Sequence, residues 1–261
     1  MSAILIDGQL AHYEVIGRGR PVLFIHGWVG SWRYWVPTMQ TISPTHRAYA
    51  LDLWGFGDST KNNQYSLDYQ TELIESFINK IGLSQISIIG HGLGAILAYK
   101  FALEFPDFVE KIMTVSLLLS LEMLNYRLLL SEPNGLVDKL LGKGMETEVV
   151  RIDEPKNDPN AVKINITELE NINFIKPLNL FSKTTLLVYG KNDPVVRIPA
   201  PDQIQSFQSN VHTIIFDQSG HFPMLDESSK FSRLLSEFLE LRDEDSPRNL
   251  QIKDKWQRRV R

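Results

Sequence analysis

The sequence predicts a doubly wound α/β sheet. Two observations carry that expectation: apolar runs too continuous for a strand with one wet face, and stretches of helical periodicity between them. Pro21-Val22-Leu23-Phe24-Ile25 is such a run, stopping abruptly at His26-Gly27. The chain has 261 residues, with 27 Lys+Arg against 31 Asp+Glu, a formal net charge of −4. Its 43% hydrophobic and 22% charged content excludes a disordered chain. It contains no cysteine, which excludes a disulfide scaffold, a thiolate metal site and a cysteine nucleophile.

Taken in order, Ser2–Ile6 and Leu10–Ile16 read as short strands joined through Asp7-Gly8, a dipeptide suited to the positive φ angles of a tight hairpin. Pro21–Ile25 is the third strand. His46–Asp52 is the fourth and runs into the Gly-rich loop Asp52-Leu53-Trp54-Gly55-Phe56-Gly57-Asp58-Ser59. From Tyr69 to Ile81, residues Leu73, Ile74, Phe77, Ile78 and Ile81 recur at helical intervals. Gln85–Ile89 is a strand, and Leu93–Phe105 a helix with Leu97, Ala98, Phe101 and Ala102 on one side. Lys111–Ser116, Thr184–Tyr189 and Val211–Phe216 complete the buried strands, the last followed by a helix from about Glu227 to Leu241. Such alternation builds a parallel sheet covered by helices on both faces.

The rhythm breaks between Ser116 and Thr184. Leu117–Leu130 is strongly apolar, and Pro133 to Asn173 is polar. Residues 117–183 are expected to form a cap insertion over the C-terminal edge of the sheet, where open α/β sheets bind ligands. A helix–loop excursion packed on the core is the other reading. The core would then be 1–116 and 184–242, followed by a charged tail at 243–261. That tail ends in Lys253, Lys255, Arg258, Arg259 and Arg261, a run that solvates readily, with Trp256 a candidate anchor. The mildly acidic balance offers no general pull toward nucleic acid or anionic lipid. The N-terminus lacks the form of a signal peptide, and Ile112–Leu121 is about half of a bilayer span. The expectation is a soluble, cytoplasmic protein.

The segment Ile86-Ser87-Ile88-Ile89-Gly90-His91-Gly92-Leu93-Gly94-Ala95 turns sharply from strand to helix, with Gly90 and Gly94 small enough for the two backbones to approach. It resembles the nucleophile elbow, G-x-S-x-G, of the α/β-hydrolase superfamily. The resemblance runs from the first hairpin to about Leu241. It implies the α/β-hydrolase fold, a doubly wound, mostly parallel sheet of eight strands with a short helical cap insertion. His26-Gly27-Trp28 resembles the family's oxyanion loop, which implies the N–H groups of Trp28 and Leu93 as oxyanion donors. The Asp52–Ser59 stretch matches D-x-x-G-x-G-x-S, a loop with a structural role beside the site. By the same resemblance Asp193, in Gly190-Lys191-Asn192-Asp193-Pro194, is the acid, and His221, in Ser219-Gly220-His221-Phe222, the catalytic histidine. His26, Gly27, His91 and Phe222 are assigned to the substrate pocket. No cofactor is implied.

One position departs from the family pattern. Where the family carries Ser, Asp or Cys, this chain has Gly92. Glycine cannot attack a carbonyl or form an acyl-enzyme. It does adopt the elbow backbone freely, whereas a serine there carries strain on the order of 1–3 kcal/mol. His91, Ser116 and Ser120 are the neighbours that could substitute. His91 is expected to point away from the substrate, and the serines lack aligned oxyanion donors.

Three functional readings stand open. In the first, the His221–Asp193 pair acts as general base in nonstandard hydrolase- or lyase-type chemistry on a small apolar carbonyl compound or ester. In the second, the chain is a non-catalytic ligand-binding or interaction protein on a hydrolase scaffold, and the pair merely closes a turn. In the third, Gly92 is an engineered substitution that inactivates a serine hydrolase. Leu117, Leu118, Leu119, Leu121, Met123, Leu124, Leu128, Leu129 and Leu130, with Trp28, Trp32, Tyr34, Trp35 and Phe222, are either an apolar pocket wall or plain core. The six histidines (His12, His26, His46, His91, His212, His221) show no ligand spacing with carboxylates, so no metal is expected. Gly90-His91-Gly92-Leu93-Gly94-Ala95 falls short of a dinucleotide fingerprint and stands at a central strand.

Overall fold

The computed structural model describes residues 2–125, 141, 147–242 and 244–252. Its strands are β1 (Ser2–Ile6), β2 (Gln9–Gly17), β3 (Arg20–Ile25), β4 (His46–Leu51), β5 (Ile86–His91), β6 (Val109–Val115), β7 (Thr184–Gly190) and β8 (Val211–Phe216). They form one eight-stranded sheet in the order β1-β2-β4-β3-β5-β6-β7-β8. β1 and β2 are antiparallel because Asp7 and Gly8 turn the chain at φ 48° and 77°. β2 also runs antiparallel to β4, and every later pairing is parallel. The expected architecture is therefore the observed one.

From β3 the chain crosses to β4 on one side, and β5 then pairs with β3 on the other. The order of strands thus reverses at β3, and a crevice opens beyond the C-terminal ends of β3 and β5. Gly27 and Trp28 leave one end; Gly92 leaves the other. All six residues of β5 are buried, as a strand covered on both faces requires.

The helices are α1 (Val36–Ile42), α2 (Leu67–Ile81), α3 (Leu93–Glu104), α4 (Glu148–Asp153), α5 (Pro159–Glu168), α6 (Ile175–Leu178), α7 (Pro201–Ser206), α8 (Pro223–Asp226) and α9 (Ser228–Leu239). Helix α2 starts where the Ser66 side chain accepts from the Tyr69 N–H and stops at Gly82, which takes the left-handed φ of 75°. The sequence pattern does not show the seven-residue α1. Its aromatic flank hides a period too short to read, although Tyr34 and Trp35 before it are buried core. Helix α3 buries nearly every side chain and has no amphipathic stripe.

Between β6 and β7 the described residues hold short helices and two isolated bridges, Ser120 with Asn173 and Leu124 with Val196. The expected wall residues Leu128, Leu129 and Leu130 lie outside the described residues, as do Lys253, Lys255, Trp256, Arg258, Arg259 and Arg261. In the tail Glu244 and Asp245 are exposed, as a solvated charge run requires, while Pro247 and Leu250 are buried. The Arg248 guanidinium donates to the carbonyls of Phe207 and Gln208, so 246–250 docks beside β8. Among the described residues no helix is long and apolar enough to cross a membrane.

Candidate active site

At the end of β5, Gly92 has φ 53° and ψ −114°, a backbone region that side-chain-bearing residues occupy only at a cost. Its N–H donates to Val115 O at 2.9 Å, which fastens the turn to β6. A Cβ built on Gly92 would stand 3.5 Å from His221 Nε2 and 3.8 Å from Gly27 Cα, ordinary contact distances. The two other glycines of the turn differ. A Cβ on Gly90 would meet Gly94 O at 2.2 Å, and one on Gly94 would meet Ile25 O at 2.3 Å.

His221 Nδ1–H donates to Asp193 Oδ2 at 2.8 Å, and Nε2, the acceptor atom of that tautomer, faces the Gly92 hollow. Asp193 is saturated with donors. Ser116 Oγ–H reaches Oδ2 at 2.7 Å, and the N–H groups of Val195 and Val196 reach Oδ1 at 2.8 and 3.1 Å. Burial alone would raise this carboxyl. The charge and hydrogen bond of His221, with those from Ser116 and Val195, outweigh it and hold the group at about 2. Ser116 lines the pocket at φ 54°, but its hydroxyl faces Asp193 and is committed there. Ser120 pairs with Asn173 away from it.

Trp28 and Leu93 both line the pocket, and neither N–H has a protein acceptor among the described residues. Leu93 opens α3, whose first N–H groups lack helical partners. The pocket spans about 420 Å³ of space, part of it open to solvent. Among the described residues its remaining wall is apolar, made by Val29, Ile96, Leu118, Leu124, Leu169 and others, with no Lys, Arg, Asp or Glu.

Several assignments change. His26 is fully buried and is not on the pocket wall. Its Nδ1–H donates to Gly27 O at 2.8 Å, and its Nε2 accepts from Leu53 N–H at 3.0 Å, so it ties the β3 loop to the β4 loop. Gly27 does not line the pocket, though its Cα bounds the Gly92 hollow. His91 and Phe222 do line it. Of the other aromatics, Trp28 is a wall residue, whereas Tyr34 and Trp35 are core, and Trp32 packs on His12 at 5.7 Å. Of the leucines expected on the wall between 117 and 130, Leu118 and Leu124 are the described ones that line it.

The D-x-x-G-x-G-x-S loop is built around the buried Asp52 carboxylate. It accepts from the N–H groups of Trp32 and Asp58 at 2.8 and 2.9 Å, and Gly57 at φ 50° passes too close to it for a Cβ. The fold brings His12, Asp52 and Asp58 together within 4.8 Å, which their spacing in the chain does not reveal. Cationic partners already occupy that corner: Arg33 and Lys156 each reach Asp58 at 2.9 Å. Arg33 also pairs at 2.8 Å with the buried Asp153 of α4, which accepts from Ser31 Oγ–H too. The β3 loop and α4 are thereby locked together.

Acid should unfold this protein in two stages. Burial lowers the proton affinity of His26 and His91, and of His46 and His212 in part, below the ordinary 6.5. Below that pH the unfolded chain binds protons that the folded chain refuses, so stability falls as pH falls. The second loss comes between about 3.8 and about 2, where Asp193 and Asp58 stay ionised only in the folded state. Urea midpoints measured from pH 8 to pH 3 check both. A midpoint that does not move between pH 7 and pH 5 contradicts the buried neutral histidines.

The family model described as alpha/beta hydrolase fold matches residues 20–149. The pimeloyl-[acyl-carrier protein] methyl ester esterase of Aliivibrio salmonicida is 23% identical over 257 residues, covering 89% of this chain and 97% of the esterase. The crystal structure of a hydrolase from Pseudomonas aeruginosa superimposes with a TM-score of 0.81 at 15% identity, over 92% of this chain and 98% of that one. A serine-to-glycine mutant of the N-acyl homoserine lactonase AidH, complexed with N-hexanoyl homoserine lactone, has a TM-score of 0.77 at 19% identity, over 91% and 96%.

Proposed function

We propose, from the premise that this chain belongs to the α/β-hydrolase superfamily, that it cleaves a small, uncharged carbonyl compound by direct attack of water. The observation that carries this reading is the hollow over Gly92, where His221 Nε2 stands 3.5 Å from the place of a missing Cβ. A water molecule in that hollow gives its proton to Nε2 as its oxygen attacks the carbonyl carbon. Charge passes to the carbonyl oxygen, which the N–H groups of Trp28 and Leu93 receive. The intermediate collapses, and the leaving oxygen takes the proton back from His221. No acyl-enzyme forms. Asp193 holds the ring with Nδ1 protonated and stabilises its charged form. The same base and oxyanion donors suit lyase-type proton abstraction.

A carboxylic ester is the favoured substrate class. Among the described residues the wall offers no charged partner to an ionic ligand, and the long relative is named a methyl ester esterase. Residues 117–183 serve as the cap in this reading, with Leu118, Leu124 and Leu169 supplying apolar wall.

Initial rates on short- and medium-chain aryl esters test the proposal. The chain as it stands should show slow turnover, and His221→Ala should remove most of it, by about 10²-fold or more. Equal rates in the two proteins contradict the general-base role. The second reading, a ligand-binding protein, is favoured by the glycine mutant of AidH, crystallised with its lactone. It predicts saturable ester binding without turnover.

A further inference from the structure

Two buried polar groups outside the reaction just described link its two halves. Gly27 N–H donates to Tyr34 Oη at 2.9 Å. The same phenol lies 3.0 Å from His91 Nδ1 and, having accepted from Gly27, donates its proton there. His91 therefore carries its hydrogen on Nε2, which donates to the backbone carbonyl of His221 at 2.9 Å. Each member of this chain has one donor and one acceptor role, and each is filled. Burial lowers the proton affinity of the His91 ring and keeps it neutral, as these roles require. Packing holds the path rigid. The Tyr34 ring meets His91 edge-on at 5.7 Å and Phe222 at 5.8 Å. Gly30 leaves the space for that ring, because a Cβ there would lie 2.1 Å from Tyr34 Cε1.

We propose that Tyr34 and His91 are positioning residues, a hydrogen-bonded brace that sets the oxyanion loop at Gly27-Trp28 and the His221 turn at one fixed separation. The role rests on the water-attack reading above, since that mechanism needs donor and base to face one carbonyl together. A shift of about 1 Å in either half can cost roughly a hundredfold in rate. The two loops come from β3 and from beyond β8, and this path joins them directly through side chains.

The two nitrogens of His91 can be tested apart. His91→Asn places an amide near the Nδ1 position, holding Tyr34 but releasing His221 O. His91→Gln reaches the Nε2 position and keeps the donor to His221 O. The readout is the His221 Nδ1 proton by NMR in ¹⁵N-histidine-labelled protein, with thermal melts of both variants alongside. The signal is expected to survive in the Gln variant and to broaden or vanish in the Asn variant. An unchanged signal in the Asn variant, or equal loss in both folded variants, overturns the brace. Tyr34→Phe removes a single oxygen and covers the case in which both His91 variants misfold. It should raise the exchange rate of the Gly27 amide at least about tenfold; an unaltered rate overturns the proposal. These signals do not depend on turnover. A brace that fails with ester hydrolysis intact, and hydrolysis that is absent with the brace intact, are therefore separate results.

Discussion

Gly92→Ser is expected to turn this protein into one that a fluorophosphonate labels covalently at one residue, with aryl ester turnover raised by at least about 10²-fold. In triad enzymes that lack a triad member, the oxyanion hole and substrate binding alone still give about 10³–10⁴-fold over water, and most of the remaining rate returns only when the nucleophile completes the triad. The space is present: a Cβ on Gly92 touches His221 Nε2 at 3.5 Å and Gly27 Cα at 3.8 Å, and both are ordinary contacts. One further bond carries a hydroxyl into hydrogen-bonding reach of the Nε2 lone pair. The cost is the backbone, since φ 53° with ψ −114° strains a side-chain-bearing residue by about 1–3 kcal/mol. In a chain of this size that lowers the melting temperature by roughly 2–12 °C. A variant that melts in this range, stays unlabelled and gains no turnover would show that His221 or the oxyanion donors are not set for attack. The binding reading would then stand ahead. Labelling without a gain in ester turnover would instead place the failure in deacylation.

Much of this was legible in the residues because it depends on local chain geometry. Continuous apolarity marks buried strands, and the Asp7-Gly8 pair does form the tight turn its composition suits. Gly92, the Asp52 loop and the His221–Asp193 pair each stand just beyond a strand end, where short motifs point. What escaped depends on contacts between distant parts of the chain. Tyr34 and His91 are 57 residues apart, and His91 and His221 are 130 apart. No spacing rule reaches so far. The motif places His26 at the pocket, yet its ring turns inward to hold Leu53. Ser116 looked like a spare hydroxyl; only the fold shows that Asp193 consumes it.

The elbow's three glycines should answer to alanine in sharply different ways. Gly94→Ala drives a methyl group to 2.3 Å from Ile25 O and 2.6 Å from His26 O, and Gly90→Ala drives one to 2.2 Å from Gly94 O. These are backbone atoms of β3 and α3 at the centre of the sheet, and no side chain can rotate aside. Each change is expected to cost about 4 kcal/mol or more, or to abolish folding. Gly92→Ala meets nothing closer than 3.5 Å and carries only the backbone term. Its melting temperature should therefore lie well above those of the other two. Melts within about 2 °C of one another for all three variants would contradict the close approach of strand and helix at this turn. The contrast bears on function as well as stability. Gly90 and Gly94 are glycine because backbone packs against backbone, and packing makes no such demand at Gly92. There the glycine removes a side chain for which the fold has room, beside a histidine whose lone pair faces the hollow.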